Sequence, residues 1–249
     1  MLHRWLPGLL CLGLIGLSEV QAESSLHFSS GDRQVTLLEL YTSQGCSSCP
    51  PAESWLNRFI DDDRLWKQVI PVAFHVDYWD YLGWRDPYAL PQFSDRQRRY
   101  RSKGQVSAVY TPGFVVNGGE WKGWFSRDQL PGASESTGKL DASISNNRVD
   151  VMYSASGQLL VLNMAILGFG IRQPVAAGEN AGKTLPQEFV VLAHETHRSH
   201  TGQWQVDLPT VNAKQASRYA VALWVENGED FRPLQATGGW LPANRLERL

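Results

Sequence analysis

The 249-residue chain is 43% hydrophobic, 19% charged and 11% aromatic, a balance too apolar and too evenly charged for intrinsic disorder. A formal charge of −2, with lysines and arginines mostly scattered, excludes the basic stripe of a nucleic-acid binder. The length allows one large domain or two small ones.

Residues 1–22 read as a secretory signal. His3 and Arg4 precede an uncharged run from Trp5 to Ser18, and Val20-Gln21-Ala22 offers a small-residue cleavage site. The run is broken by Pro7 and glycines and is shorter than the ~20 residues that span a bilayer. The chain is therefore expected to be exported, periplasmic or extracellular, with no stable membrane insertion after cleavage. Losing the leader removes Cys11 and leaves two cysteines, Cys46 and Cys49, in one Cys-Ser-Ser-Cys motif. Closing so short a loop gains only ~2 kcal/mol of chain entropy. A redox or metal role is the better use of the pair.

Val35–Tyr41 is a nearly continuous apolar run, as buried parallel strands show. A turn at 42–45 leads into the motif. Ala52, Trp55, Leu56, Phe59 and Ile60 then repeat at helical spacing, and Pro50-Pro51 fix the helix start beside the cysteines. A thiol at a helix N-terminus meets unpaired amides and the helix dipole, which favour the thiolate. Cys46 is thus the expected nucleophile and Cys49 the resolving thiol. Val69–Val76 reads as the next strand. Tyr78, Trp79 and Trp84 belong to an aromatic-rich insertion that could wall a peptide-binding surface, and a helix is expected at 92–103 with its arginines in water. A short strand at 113–116, the turn Asn117-Gly118-Gly119 and a return strand form a hairpin. One last helix is expected near Leu140–Ile144. From Arg148 onward, strand-like segments at 149–153, 159–165, 189–193, 204–206 and 219–226 alternate with turn signals, as in an antiparallel sandwich.

Strand, C-x-x-C, helix, strand and Thr111-Pro112 before a hairpin resemble the thioredoxin superfamily. More closely, residues 38–53, 73–84 and 178–185 are similar to the secreted "domain of unknown function 1223" family, which brings no established reaction. The resemblance implies that Pro112 is cis and flanks the cysteines, with Thr111 beside it in the substrate groove. Glu39, inside the apolar strand, resembles the superfamily's proton-transferring carboxylate. The expected fold is α/β: a thioredoxin-like domain with an inserted helical segment over 23–146, then a small, mostly antiparallel β-sandwich-like domain over 147–249.

The function expected is thiol–disulfide exchange with protein or small-molecule thiols and disulfides, without a cofactor. Two other readings stand beside it. Cys46, Cys49 and His75 could hold copper or zinc, since two thiolates and an imidazole suit either; or the chain is a non-catalytic interaction module. Of the other histidines, His194 and His200 could share a strand face, but a solvated loop explains them more simply. The exported protein should begin at Glu23; an intact mass that retains Cys11 would overturn the leader and the two-cysteine reading.

Overall fold

The computed structural model describes residues 25–126, 129–132, 138–155, 157–211 and 216–242. The expected leader lies outside them. In chain order the N-terminal elements are β1 (Leu26–Ser29), β2 (Thr36–Thr42), α1 (Pro50–Asn57), β3 (Val69–His75) and α2 (Pro91–Ser102). Then come β4 (Gly113–Val116), β5 (Gly119–Trp121), β6 (Leu140–Ser145), β7 (Arg148–Tyr153), β8 (Leu160–Phe169) and β9 (Ile171–Pro174). The chain continues with β10 (Thr184–Gln187), β11 (Val190–Ser199), β12 (Gln203–Asp207), β13 (Arg218–Asn227) and β14 (Pro233–Leu241). Among the described residues no helix is long and apolar enough to cross a membrane.

This architecture corrects the expected fold class. The molecule is mostly β, with two α-helices among the described residues, and is not a thioredoxin-like α/β domain with an inserted helical segment followed by a separate sandwich. One eight-stranded mixed sheet, ordered β14-β13-β8-β11-β3-β2-β4-β5, runs through both expected halves. Only the pairs β2–β3 and β3–β11 are parallel. A four-stranded antiparallel sheet, β1-β6-β7-β12, and the hairpin β9-β10 complete the fold.

The physical reason lies in β8 and β13. Every residue of β8 is buried, and so are the eight from Tyr219 to Glu226 in β13. Such strands need cover on both faces. Leu162, Met164 and Ile166 pack with Ile144, Val149 and Val151 of the four-stranded sheet. The alternate residues Ala165 and Leu167 join the core of β2, β3 and α2. Leu140–Ser145, expected as a helix, is strand β6. Its buried residues Leu140, Ala142 and Ile144 alternate with period two.

Helix α2 buries Phe93, Arg96, Gln97 and Tyr100, an i, i+3, i+4, i+7 stripe. Arg96 is therefore not on the wet face expected for it. Its guanidinium donates to both Glu39 carboxylate oxygens (2.8 and 3.1 Å), to Glu226 and to the Tyr100 hydroxyl (3.0 Å). Tyr41 and Tyr100 donate to Glu39, and the Trp224 indole N–H donates to Glu226 at 2.8 Å. Burial, with the Glu39 charge added, pushes the Tyr41 phenol well up, and burial does the same to Tyr100. His194 stacks on Trp224 and shares a 2.9 Å hydrogen bond with Asn163. Burial, then the Arg96 charge, hold its imidazole well below the ordinary value. It belongs to strand β11 and not to the solvated loop expected.

Arg96→Met strands two buried carboxylates without a cation and should cost about 3–5 kcal/mol in urea unfolding. Arg96→Lys keeps the charge but loses the fork, and should recover only part of that.

Candidate functional site

Strand β2 delivers the chain to a tight turn. The Cys46 N–H donates to the Ser43 carbonyl (3.1 Å) and the Cys49 N–H to the Cys46 carbonyl (3.2 Å). Helix α1 then starts at Pro50 with Cys49 as its N-cap and both prolines in the first turn, where no amide partner is lost. Cys46 and Cys49 are joined in a disulfide. Cys46 lies in the turn before the helix, with its sulfur 3.3 Å from the Ser48 hydroxyl. Ser47 and Ser48 are exposed, yet both cysteines are fully buried, at 0% exposure.

The cover comes from far along the chain. A strap, residues 178–183, connects β9 to β10 and crosses the motif. The buried Asn180 amide donates to the Gln44 and Cys46 carbonyls, both at 2.9 Å. The Glu179 carboxylate accepts the Ser47 N–H at 2.9 Å, and hydrogen bonding from Ser47 holds its pKa below the usual range. Gly178 turns with φ +73°, and a Cβ there would stand 3.3 Å from that of Trp84. Gly45 meets a similar wall, since a Cβ would lie 3.1 Å from that of Trp79. The Trp79 indole N–H reaches on to the Thr111 hydroxyl at 2.7 Å. The Thr111–Pro112 bond is cis, as the resemblance implied.

A buried polar cluster lies behind the turn. Gln44 donates its backbone N–H to Asp86 (2.8 Å) and its side-chain amide to Gln187 (2.8 Å), and accepts from the Trp84 indole (3.0 Å). Asp86 also bonds His75 Nδ1 at 2.7 Å. Burial pulls the His75 imidazole down, but the charge and hydrogen bond of Asp86, with the Glu53 charge, hold it above its ordinary value. Burial would raise Asp86, yet His75 and the Gln44 and Tyr88 amides hold it low. Glu53 accepts from the Thr42 hydroxyl (2.6 Å) and from Gln187 (3.3 Å). Burial keeps its carboxyl protonated further toward neutrality than usual, against the pull of His75.

The structure separates the residues singled out from sequence. Thr111, Trp79 and Trp84 gather around the motif through the contacts above, and the Tyr78 hydroxyl lies between this group and α2, meeting Thr111 and donating to Gln97 at 3.1 Å. Glu39 does not join them. Its hydrogen bonds go to Tyr41, Arg96 and Tyr100, while Thr42, bound to Glu53 beside the motif, leaves β2 by the opposite face. For the metal alternative, the two sulfurs bind each other and His75 is engaged by Asp86. Among the described residues no group of three or more His, Cys, Asp or Glu side chains is placed to hold a metal ion. Sequence reasoning missed Glu53, Asp86 and Asn180. Glu53 had a signal, since it follows Cys49 by four residues and so shares its helix face. Asn180 lay in the 178–185 block that resembles the family, though nothing local tied it to the cysteines, and Asp86 had no signal.

The profile of the family described as "Protein of unknown function (DUF1223)" matches residues 37–226. No curated protein matches the sequence. Among solved structures, the chain is similar to a crystal structure of an Agrobacterium tumefaciens protein, with TM-score 0.57 and 26% identity over 84% of this chain and 94% of that one. It is also similar in fold to HBP35 of Porphyromonas gingivalis, with TM-score 0.53 and 15% identity over 84% of this chain and 76% of the other.

The His75–Asp86 pair gives stability a pH profile. His75 sits above its ordinary ~6.5, so its contribution is complete below that pH and lost as pH rises through the folded value. Asp86 sits below its ordinary ~3.9, so its contribution is complete above that pH and lost as pH falls through the folded value. Both contribute fully between ~3.9 and ~6.5. Urea unfolding of Asp86→Asn should show a loss of about 3–5 kcal/mol in that window, and a smaller one in alkali where His75 is neutral.

Proposed function

The chain belongs to the DUF1223 family, and we propose that it is an exported thiol–disulfide oxidoreductase acting through Cys46 and Cys49. The observation that carries this reading is the disulfide itself. It joins the only two cysteines outside the expected leader, and it sits at the start of α1 with exposed Ser47 and Ser48 between them.

In the oxidising direction, a substrate thiolate attacks the Cys46 sulfur, the Cys46–Cys49 bond breaks, and Cys49 leaves as the thiolate. A second substrate thiol, once deprotonated, attacks the mixed disulfide and releases Cys46. The substrate loses two electrons and the pair gains them, and both cysteines take up protons. The reducing direction runs the same bonds backward. Cys46 is the attacked sulfur because Cys49, the N-cap of α1, is the one at the positive end of the helix and so the better leaving thiolate. Thr111 is tied to the same place through Trp79, whose indole N–H it accepts.

Exchange carries a structural requirement. With both cysteines buried, a neighbouring segment has to move before a thiol can reach Cys46, and the strap, bonded to the Cys46 carbonyl and the Ser47 N–H, is the segment assigned that movement. The same burial favours a second reading, a non-catalytic module whose disulfide only closes the turn. Trapping separates the two. Cys49→Ser should accumulate long-lived mixed disulfides through Cys46, while Cys46→Ser should trap nothing. Asn180→Ala should raise the rate of trapping by Cys49→Ser, and of dithiothreitol reduction of the intact pair, by about tenfold or more, since two buried hydrogen bonds to the motif are lost. No trapping by either variant would leave the second reading standing.

A further inference from the structure

Three openings beside α1 join into one path. Next to the cysteines, Ser48, Pro51, Trp55, Arg58, Trp124 and Phe125 line a space of about 770 Å³. It shares Trp55 and Arg58 with a second space of about 340 Å³, reaching Phe59 and Arg64. That one shares Arg64 and Leu130 with a third of about 330 Å³, bordered by Arg33 and Lys67. A groove therefore leads from the dipeptide between the cysteines along α1 and past the turn that follows it.

Its chemistry changes along its length. Near the disulfide it is aromatic: Trp55 and Trp124 are half-buried and Phe125 is 66% exposed. Farther out it is cationic. Arg58 stacks over the Trp55 ring at 5.7 Å and Arg64 over Phe59 at 5.6 Å, which orders both guanidiniums, and exposed Arg33 and Lys67 follow. Asp62 is the one carboxylate among the described lining residues, and Arg64 already binds it at 2.7 Å. Asp61 and Asp63 lie on the same turn but line none of the three spaces.

We propose that this groove seats the partner polypeptide: an extended segment with a large apolar side chain beside its reacting cysteine and acidic residues beyond it. The proposal rests on the thiol–disulfide reading of the site and names its substrate class. An aromatic cleft next to the reacting sulfurs gains from removing an apolar side chain from water. Exposed cations farther along steer an acidic chain and set its register, an effect that salt weakens. A polyanion lacking apolar groups would use only the outer half.

The test is fluorescence anisotropy with the intact, oxidised full chain. The probes are labelled peptides whose cysteine is replaced by serine, so that binding needs no exchange. A peptide carrying Phe and a run of Asp should bind about tenfold tighter than the same peptide with Asn for Asp, or with Ala for Phe. The advantage of Asp over Asn should shrink between about 50 and about 300 mM salt. The double variant Arg58→Glu with Lys67→Glu should lose that advantage while its disulfide is reduced by dithiothreitol at the native rate. Equal affinity for all three peptides, or an unchanged preference in the charge-reversed variant, would overturn the proposal. So would polyphosphate binding as tightly as the acidic Phe peptide. Trapping by Cys49→Ser with no peptide preference would sink the groove alone, whereas peptide preference without trapping would sink the exchange reading alone.

Discussion

A guanidinium enclosed in protein must find every one of its hydrogen bonds there, and Arg96 finds them on two strands remote in sequence and on its own helix. Glu39 comes from β2, Tyr100 from its own helix, and Glu226 from β13. Taking three charges out of water costs several kcal/mol per ion, offset only when the geometry is good and the leftover lone pairs are met. Tyr41, Tyr100 and the Trp224 indole meet them. The result ties the strand that carries the cysteine turn to the far strands of the same sheet. Helix α2 can cover β2, β3, β8 and β13 together only because this ionic centre sits beneath it, flanked by Phe74, Phe93 and Trp224.

The opposite face of β2 holds a second polar system, and the two divide the labour. Glu39 serves the union of the sheet, while Thr42, three residues on, serves the turn through Glu53. Gln44 is the hub of that system. Its backbone and side chain engage Asp86, Trp84 and Gln187, so the residue two before Cys46 is fixed in space. Asn180 completes the seat from above. A buried polar network with its members satisfied is rigid, and rigidity in the turn is what a defined approach to one sulfur requires.

The sequence was legible where the chemistry is local. The order strand, Cys-Ser-Ser-Cys, proline-started helix, strand and hairpin emerges from periodicity and turn residues alone, whereas the cis bond at Thr111-Pro112 was legible only through the family resemblance. It was not legible where only tertiary partners decide. A buried run such as Leu160–Phe169 reads the same in a small sandwich or as the centre of an eight-stranded sheet, because apolar content reports burial and not neighbours. Arg96 falls on the helix stripe of Phe93 and Tyr100, yet an arginine at such a position reads as solvated until Glu39 and Glu226 are seen beside it. Glu39 misleads for a simpler reason. Sequence distance from Cys46 says nothing about face, and a one-residue step along β2 reverses it.

The strap has a consequence for the order in which the molecule comes into being. Asn180 and Glu179 bond to residues 132–136 positions earlier in the chain, and Gln187 to one 143 positions earlier. A chain emerging from its N-terminus presents both thiols long before anything exists to roof them. During that interval Cys46 and Cys49 are open to any oxidant in their surroundings, and the bond between them can form without the strap. Arrival of the later strands then roofs the pair, so that in the finished protein access to it has to be regained by movement, whereas in the nascent chain it comes free.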